Sequence, residues 1–194
     1  MRYLVVYCHP VPESFCAAVR DTAVAALSDR GCEVRLTDLY AEGFDPVLGA
    51  DERRNMDRAP TDPKLAPHID SIKWAQAIVF VYPTWWYGLP AMLKGWLDRV
   101  WATDVAFKFP ADGGRMVSLV PHITKIGVVT TCGAPWWISV LMGQPGRKTI
   151  LRGMRALCAP TARTLYVAHY DMDRATPQSR AAFLKRVRTR VLRL

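Results

Sequence analysis

No apolar run in this 194-residue chain approaches the ~18 residues that a membrane-crossing helix needs. No Cys-x-x-Cys pair occurs either, the five cysteines standing at 8, 16, 32, 132 and 158. That wide spacing and odd total argue against a disulfide framework or a zinc site, and leave reduced thiols serving as small core residues. Gly-x-Gly-x-x-Gly and Gly-x-x-x-x-Gly-Lys-Ser/Thr are absent as well. Their absence argues against an ordinary Rossmann dehydrogenase and a P-loop nucleotidase. Acid is scarce, with 17 Asp and Glu against 26 Lys and Arg, for a net charge of +9.

The charge excess concentrates near the end of the chain, in Arg180, Lys185, Arg186, Arg188, Arg190 and Arg193. Phe183, Leu184, Val187, Val191 and Leu194 recur between them at helical spacing, so this is an amphipathic helix with a solvated basic face. A nucleic-acid arm would carry interleaved aromatics or glycines, and no nucleic-acid partner is expected. Hydrophobic residues at 51% and charged residues at 22% are ordinary globular usage. Met1-Arg2 runs straight into Tyr3–Cys8, too short for a signal peptide and without a small-residue cleavage site. The expectation is one cytoplasmic domain over 1–194, without membrane insertion.

Strand-like and helix-like segments alternate. Residues 2–8 read as a buried strand; Phe15, Ala18, Val19, Thr22, Ala23, Ala26 and Leu27 follow as a helix stripe, with Ser14 as N-cap and Gly31 as stop. Residues 32–37 form a second strand. Residues 38–66 are irregular, and so long a loop should hold short helical turns or carry function. Ala77–Tyr82 is the clearest buried strand, ending at Pro83, and Pro90 opens the next helix. A fourth strand is expected over 123–130, a loop over 131–146, a helix over 147–158, a fifth strand over 164–168 and a last helix after Thr176-Pro177. Parallel strands joined by right-handed helical crossovers give an α/β doubly wound sheet with helices on both faces.

Ligands of such sheets bind beyond the carboxyl ends of the strands. Three loops reach that edge. The first, Cys8 to Cys16, opens a helix, and its amides with His9 and Ser14 would cradle a phosphate. The second is Pro83-Thr84-Trp85-Trp86-Tyr87-Gly88, whose aromatics suit a flat conjugated ligand better than a loop surface. The third, Thr130-Thr131-Cys132-Gly133-Ala134-Pro135-Trp136-Trp137, adds two more tryptophans. Four of the seven tryptophans therefore fall at strand ends, which core packing alone does not explain.

With these residues the chain resembles the NAD(P)H:quinone oxidoreductase family of flavodoxin-like flavoproteins, which includes quinone reductases, modulator-of-drug-activity proteins and ancillary proteins of potassium efflux systems. The most specific match is Pro83-x-x-Trp86-Tyr87-Gly88-x-Pro90 running into Leu93-Lys94-Gly95-Trp96-x-Asp98-Arg99-Val100, supported by Thr130-Thr131-x-Gly133. The resemblance implies a flavodoxin-like five-stranded parallel sheet of order 2-1-3-4-5 and a homodimer with active sites at the subunit interface. It also implies a ping-pong flavin enzyme passing hydride from NAD(P)H to a quinone-like acceptor, with FAD the expected cofactor and FMN the alternative.

By the same resemblance His9 and the Ser14-Phe15-Cys16-Ala17 amides would hold the flavin phosphate. The backbone from Pro83 and Thr84 through Trp85, Trp86 and Tyr87 would meet the N5/O4 edge, and Thr130, Thr131, Cys132 and Gly133 the pyrimidine end. Trp86, Tyr87 and Trp136 would wall the acceptor slot. Apart from the resemblance, Arg147 and Lys148 stand where they would meet a dinucleotide phosphate, the alternative being basic residues at a helix start that are only solvated. Two departures stand out: Cys16 replaces the usual Asn, and the Tyr and His of the eukaryotic enzymes are absent from 136–144. No metal and no protein acid or base is therefore assigned. The alternative reading is a regulatory subunit docking on a membrane transport system through its basic last helix.

Overall fold

The computed structural model describes residues 1–110 and 112–194. Five parallel strands form one sheet: β1 (Arg2–Tyr7), β2 (Glu33–Asp38), β3 (Ala77–Thr84), β6 (Lys125–Cys132) and β7 (Arg163–His169). Their order is β2-β1-β3-β6-β7, the expected 2-1-3-4-5 winding. Successive side chains of a strand point to opposite faces, so each central strand feeds two cores. Tyr3, Val5, Tyr7, Val79 and Val81 pack on one side with α1 (Phe15–Asp29) and α7 (Pro177–Leu192). Leu4, Val6, Ile78, Phe80 and Val128 pack on the other with α3 (Ala66–Trp74) and α4 (Ala91–Val100). Burial on both faces explains why these strands read as continuous apolar runs.

Ser14 caps α1 by accepting from Ala17 N at 3.2 Å, and Thr176 caps α7 by accepting from Ser179 N at 3.1 Å. The irregular stretch after β2 does contain helical turns, including α2 (Ala50–Arg54), and a buried cation ties it down. Arg99 of α4 donates to Glu52 Oε1 and Oε2 at 2.8 to 3.2 Å, to Asp62 Oδ2 at 2.8 Å and to Asp45 O at 2.6 Å. Every partner comes from that one segment. Gly95, one turn earlier, admits the same segment, because a Cβ there would stand 2.2 Å from Pro46 O.

Some boundaries differ from expectation. The fourth sheet strand begins at Lys125, since Ile123 lies in the preceding turn and its carbonyl accepts from Ala159 N. The stretch expected as a helix over 147–158 is broken into α6 (Pro145–Lys148), a π turn over Thr149–Gly153 and a 3₁₀ turn over Met154–Leu157. Pro145, Gly146 and Gly153 give it little intrinsic helix preference. The loop expected over 131–146 holds α5 (Trp136–Leu141), and a two-stranded antiparallel ribbon of β4 (Phe107–Lys108) and β5 (Val117–Ser118) precedes β6.

Several arginines end on backbone carbonyls rather than carboxylates. Arg155 donates to Ala162 O and Pro160 O, Arg163 to Arg193 O, Arg30 to Leu192 O and Arg186 to Ala168 O. Among the described residues no helix is long and apolar enough to cross a membrane.

The Gly95 contact makes a direct prediction. Gly95→Ala should lower stability by about 1–3 kcal/mol through overpacking against Pro46. Gly153→Ala, at a helical φ of −59° with nothing within 4 Å of its new Cβ, should be neutral or stabilising by up to about 1 kcal/mol. Urea denaturation of the two variants beside the parent checks the contrast.

Candidate active site

The winding reverses between β1 and β3, so the connections after these strands leave in opposite directions and open a crevice at the carboxyl edge. A cleft of about 790 Å³ lies there. Its first wall follows β1 and carries His9, Ser14, Phe15 and Cys16. His9 Nδ1 lies 3.0 Å from Val11 N and 3.2 Å from Val11 O, so it accepts from the amide in one tautomer and donates to the carbonyl in the other. Burial lowers the His9 pKa below its ordinary value. The first turn of α1 contains no acidic residue, so the positive end of its dipole is uncompensated there. Burial also pushes the Cys16 thiol up to about 12, which keeps it a neutral apolar contact.

The second wall is the end of β3 and the turn after it: Pro83, Thr84, Trp85, Trp86 and Tyr87. Thr84 Oγ1 and Thr130 Oγ1 lie 2.9 Å apart across β3 and β6. Trp86 and Tyr87 both sit in the left-handed region, at φ 48° and 62°, and Gly88 N closes the turn on Trp85 O at 2.9 Å. Such residues carry strain of order 1–3 kcal/mol each and persist only when neighbours hold them. Gly146 of α6 supplies one such neighbour: a Cβ on it would stand 3.2 Å from Gly88 C, tighter than an ordinary contact, so its absence lets the two backbones pack closely. The turn leaves Trp86 96% exposed at the mouth of the cleft.

The third wall is Thr131, Cys132 and Gly133 at the end of β6. Burial raises the Cys132 thiol pKa, partly opposed by hydrogen bonds at Ala134 and Ser139. Three expected site residues do not line the cleft. The Ala17 amide is committed to the Ser14 cap, and Thr130 lies beneath the floor with its hydroxyl donating to Tyr82 O at 2.7 Å. Trp136 sits on α5, 61% exposed, because the chain turns into a helix immediately after Pro135.

Sequence reading missed Ala134, Met172 and Asp173. The last two come from the loop after β7, which Asp171 N fastens to Ala134 O at 3.1 Å. Asp173 Oδ2 stands 3.2 Å from where a Cβ on Gly133 would be. The available signal was positional: this loop leaves the same carboxyl edge as the other three. The cleft thus joins an amide-rich helix start, an aromatic wall and a glycine-floored end. It can hold a phosphate at one end and a flat ring along the middle.

Comparison with known proteins agrees with this geometry. The family model described as flavodoxin-like fold matches residues 1–191. Among curated proteins, a ribosyldihydronicotinamide dehydrogenase [quinone] of Mus musculus is 31% identical over 129 residues, covering 56% of this chain and 54% of that protein. An uncharacterized NAD(P)H oxidoreductase of Haemophilus influenzae is 34% identical over 123 residues, covering 63% and 60%. The matches therefore span little more than half the length of these relatives. Among solved structures, Smu.1420 of Streptococcus mutans superposes with a TM-score of 0.84 at 28% identity, covering all of both chains. An NAD(P)H:quinone oxidoreductase of Methanothermobacter marburgensis gives 0.83 at 25% identity, covering 99% and 96%. By this match, and with the sheet winding to go with it, the chain belongs to the family described as flavodoxin-like fold.

Proposed function

We propose that this protein is a flavin-dependent NAD(P)H oxidoreductase acting on a quinone-like acceptor, with FAD as its cofactor and FMN as the alternative. The observation that carries the reading is the convergence of an acid-free helix start, an aromatic turn and a glycine-bearing strand end on one cleft. When bound, the flavin would accept hydride and give it up again, so that one slot serves NAD(P)H and the acceptor in turn.

The residues present fit that group. The free amides opening α1 and a ring N–H of His9 would hold its phosphate, and burial, which lowers the His9 pKa, favours the neutral ring there. The backbone of Thr84 to Tyr87 would meet one edge of the ring system. Amides at Cys132 and Gly133 would face the end where negative charge collects on reduction, in place of a Tyr/His pair. Asp173 is the one carboxylate lining the cleft among the described residues. It would accept hydrogen bonds from the ligand and, by its charge, disfavour added negative charge nearby. Trp86 and Tyr87 would wall the acceptor slot.

Trp86, Trp136, Trp137 and Leu141 are all more than half exposed around this edge. A second copy of the chain would cover them, giving a homodimer with the clefts at its interface.

The purified protein should be yellow, release FAD on denaturation as identified by mass, and oxidise NADPH with a quinone. Colourless protein that takes up neither FAD nor FMN would overturn the reading. His9→Ala should weaken flavin retention about tenfold, the worth of one hydrogen bond to a charged phosphate, measured by fluorescence titration of stripped protein. Trp86→Gly should raise the quinone KM several-fold. Its stability should hold, because relief of left-handed strain (~1–2 kcal/mol) offsets glycine's greater unfolded freedom (~0.5–1 kcal/mol).

A further inference from the structure

Beside the edge strand β7 lies a second cavity, about 240 Å³, lined by Gln144, Arg147, Lys148, Leu151, Arg152 and Thr164. It holds three cations and no carboxylate. None of the three belongs to an ion pair among the described residues. Like charges gathered without a counter-charge repel one another, and an anionic ligand removes that cost. One of them is already held in place. The Arg147 guanidinium lies 4.8 Å over the Tyr166 ring, and its Nη1 donates to Gln144 Oε1 at 2.9 Å. Gln144 Nε2 in turn donates to Tyr170 OH at 2.8 Å. A planar fork fixed this way suits phosphate oxygens, and Lys148, Arg152 and the Thr164 hydroxyl add donors around it.

Two contacts run from the segment that lines the cavity toward the segments that line the cleft. Gly146, between Gln144 and Arg147, packs on the backbone of Gly88 and Leu89 at the end of the aromatic turn. Tyr170, bonded to Gln144, comes two residues before the cleft residue Met172. A dinucleotide lying along the aromatic wall would reach the cations by extending past Gly146 and Gln144. The volume suits one phosphate group rather than a whole nucleotide.

We propose that this cavity is a subsite for a phosphomonoester dianion, the 2′-phosphate of NADPH, which would make the protein select NADPH over NADH. This rests on the oxidoreductase reading above. The test titrates the protein as isolated, by calorimetry, with adenosine 2′,5′-bisphosphate, adenosine 5′-monophosphate and inorganic phosphate. The bisphosphate should bind about tenfold tighter than the monophosphate, as a charge-assisted contact predicts. That advantage should shrink below pH ~6, where a phosphomonoester loses its second charge.

Lys148→Met and Arg152→Met alter exposed side chains that make no side-chain hydrogen bond among the described residues. Each should abolish most of the advantage and lower the NADPH-to-NADH ratio of kcat/KM by about tenfold. Equal binding of the two adenosine ligands, an advantage that survives both substitutions, or inorganic phosphate binding as tightly as the bisphosphate would each overturn the proposal. Oxidation of neither dinucleotide, with the calorimetric advantage intact, would sink the oxidoreductase reading and leave the phosphate subsite standing.

Discussion

A parallel sheet that winds in both directions from a central pair cannot cover its own carboxyl edge where the direction changes. The connection after β1 runs over one face and that after β3 over the other, and the gap between them is the cleft. Everything that gives the site its chemistry follows from this constraint. The first helix must start there, so its amides point into the gap. The end of β3 must turn there, so the residues of that turn stand at its mouth. The long segment after β2 is drawn onto α4 by Arg99 and by the close approach of Gly95 to Pro46. A guanidinium this enclosed is tolerable because two carboxylates and a carbonyl surround it.

Much of the architecture was legible because burial on both faces writes itself into a strand as an unbroken apolar run. Residues 77–82 and 2–7 are such runs, and Ser14 and Thr176 announce the helices that follow their strands. The site was legible in outline for a related reason. Tryptophans at strand ends have no core to fill, so their position suggested a ligand. What stayed hidden depends on contacts distant in sequence. Arg99 reads as an ordinary basic residue of α4, and nothing local says that its partners lie at 45, 52 and 62. The left-handed Trp86 and Tyr87 were equally invisible, because propensity favours glycine or asparagine there and the packing of Gly146 on Gly88 is a contact distant in sequence.

Residues 145–157 failed for the opposite reason. Their apolar positions carry helical spacing, but glycine and proline weaken the backbone preference enough for the chain to change hydrogen-bond pattern twice. The short α6 that precedes these turns carries Arg147 over Tyr166 and Gly146 against the aromatic turn. A regular helix from 147 onward would have been read correctly and would have needed a different contact with the cleft. Trp136 shows the same limit on a smaller scale, since a helix starting after Pro135 carries it away from the slot that a simple loop would have let it enter.

The arginines that end on backbone carbonyls have a bearing on how the molecule behaves in bulk. A carbonyl orders a guanidinium without cancelling its charge, so the chain keeps its positive excess of +9 at pH 7 and loses it only toward the sequence pI of about 9.6. Molecules of this protein therefore repel one another in solution at low ionic strength, and added salt relaxes that repulsion. The outer strand β7 opens at Arg163, and charge there opposes pairing along an open strand edge, where two copies of a sheet protein most readily begin to aggregate.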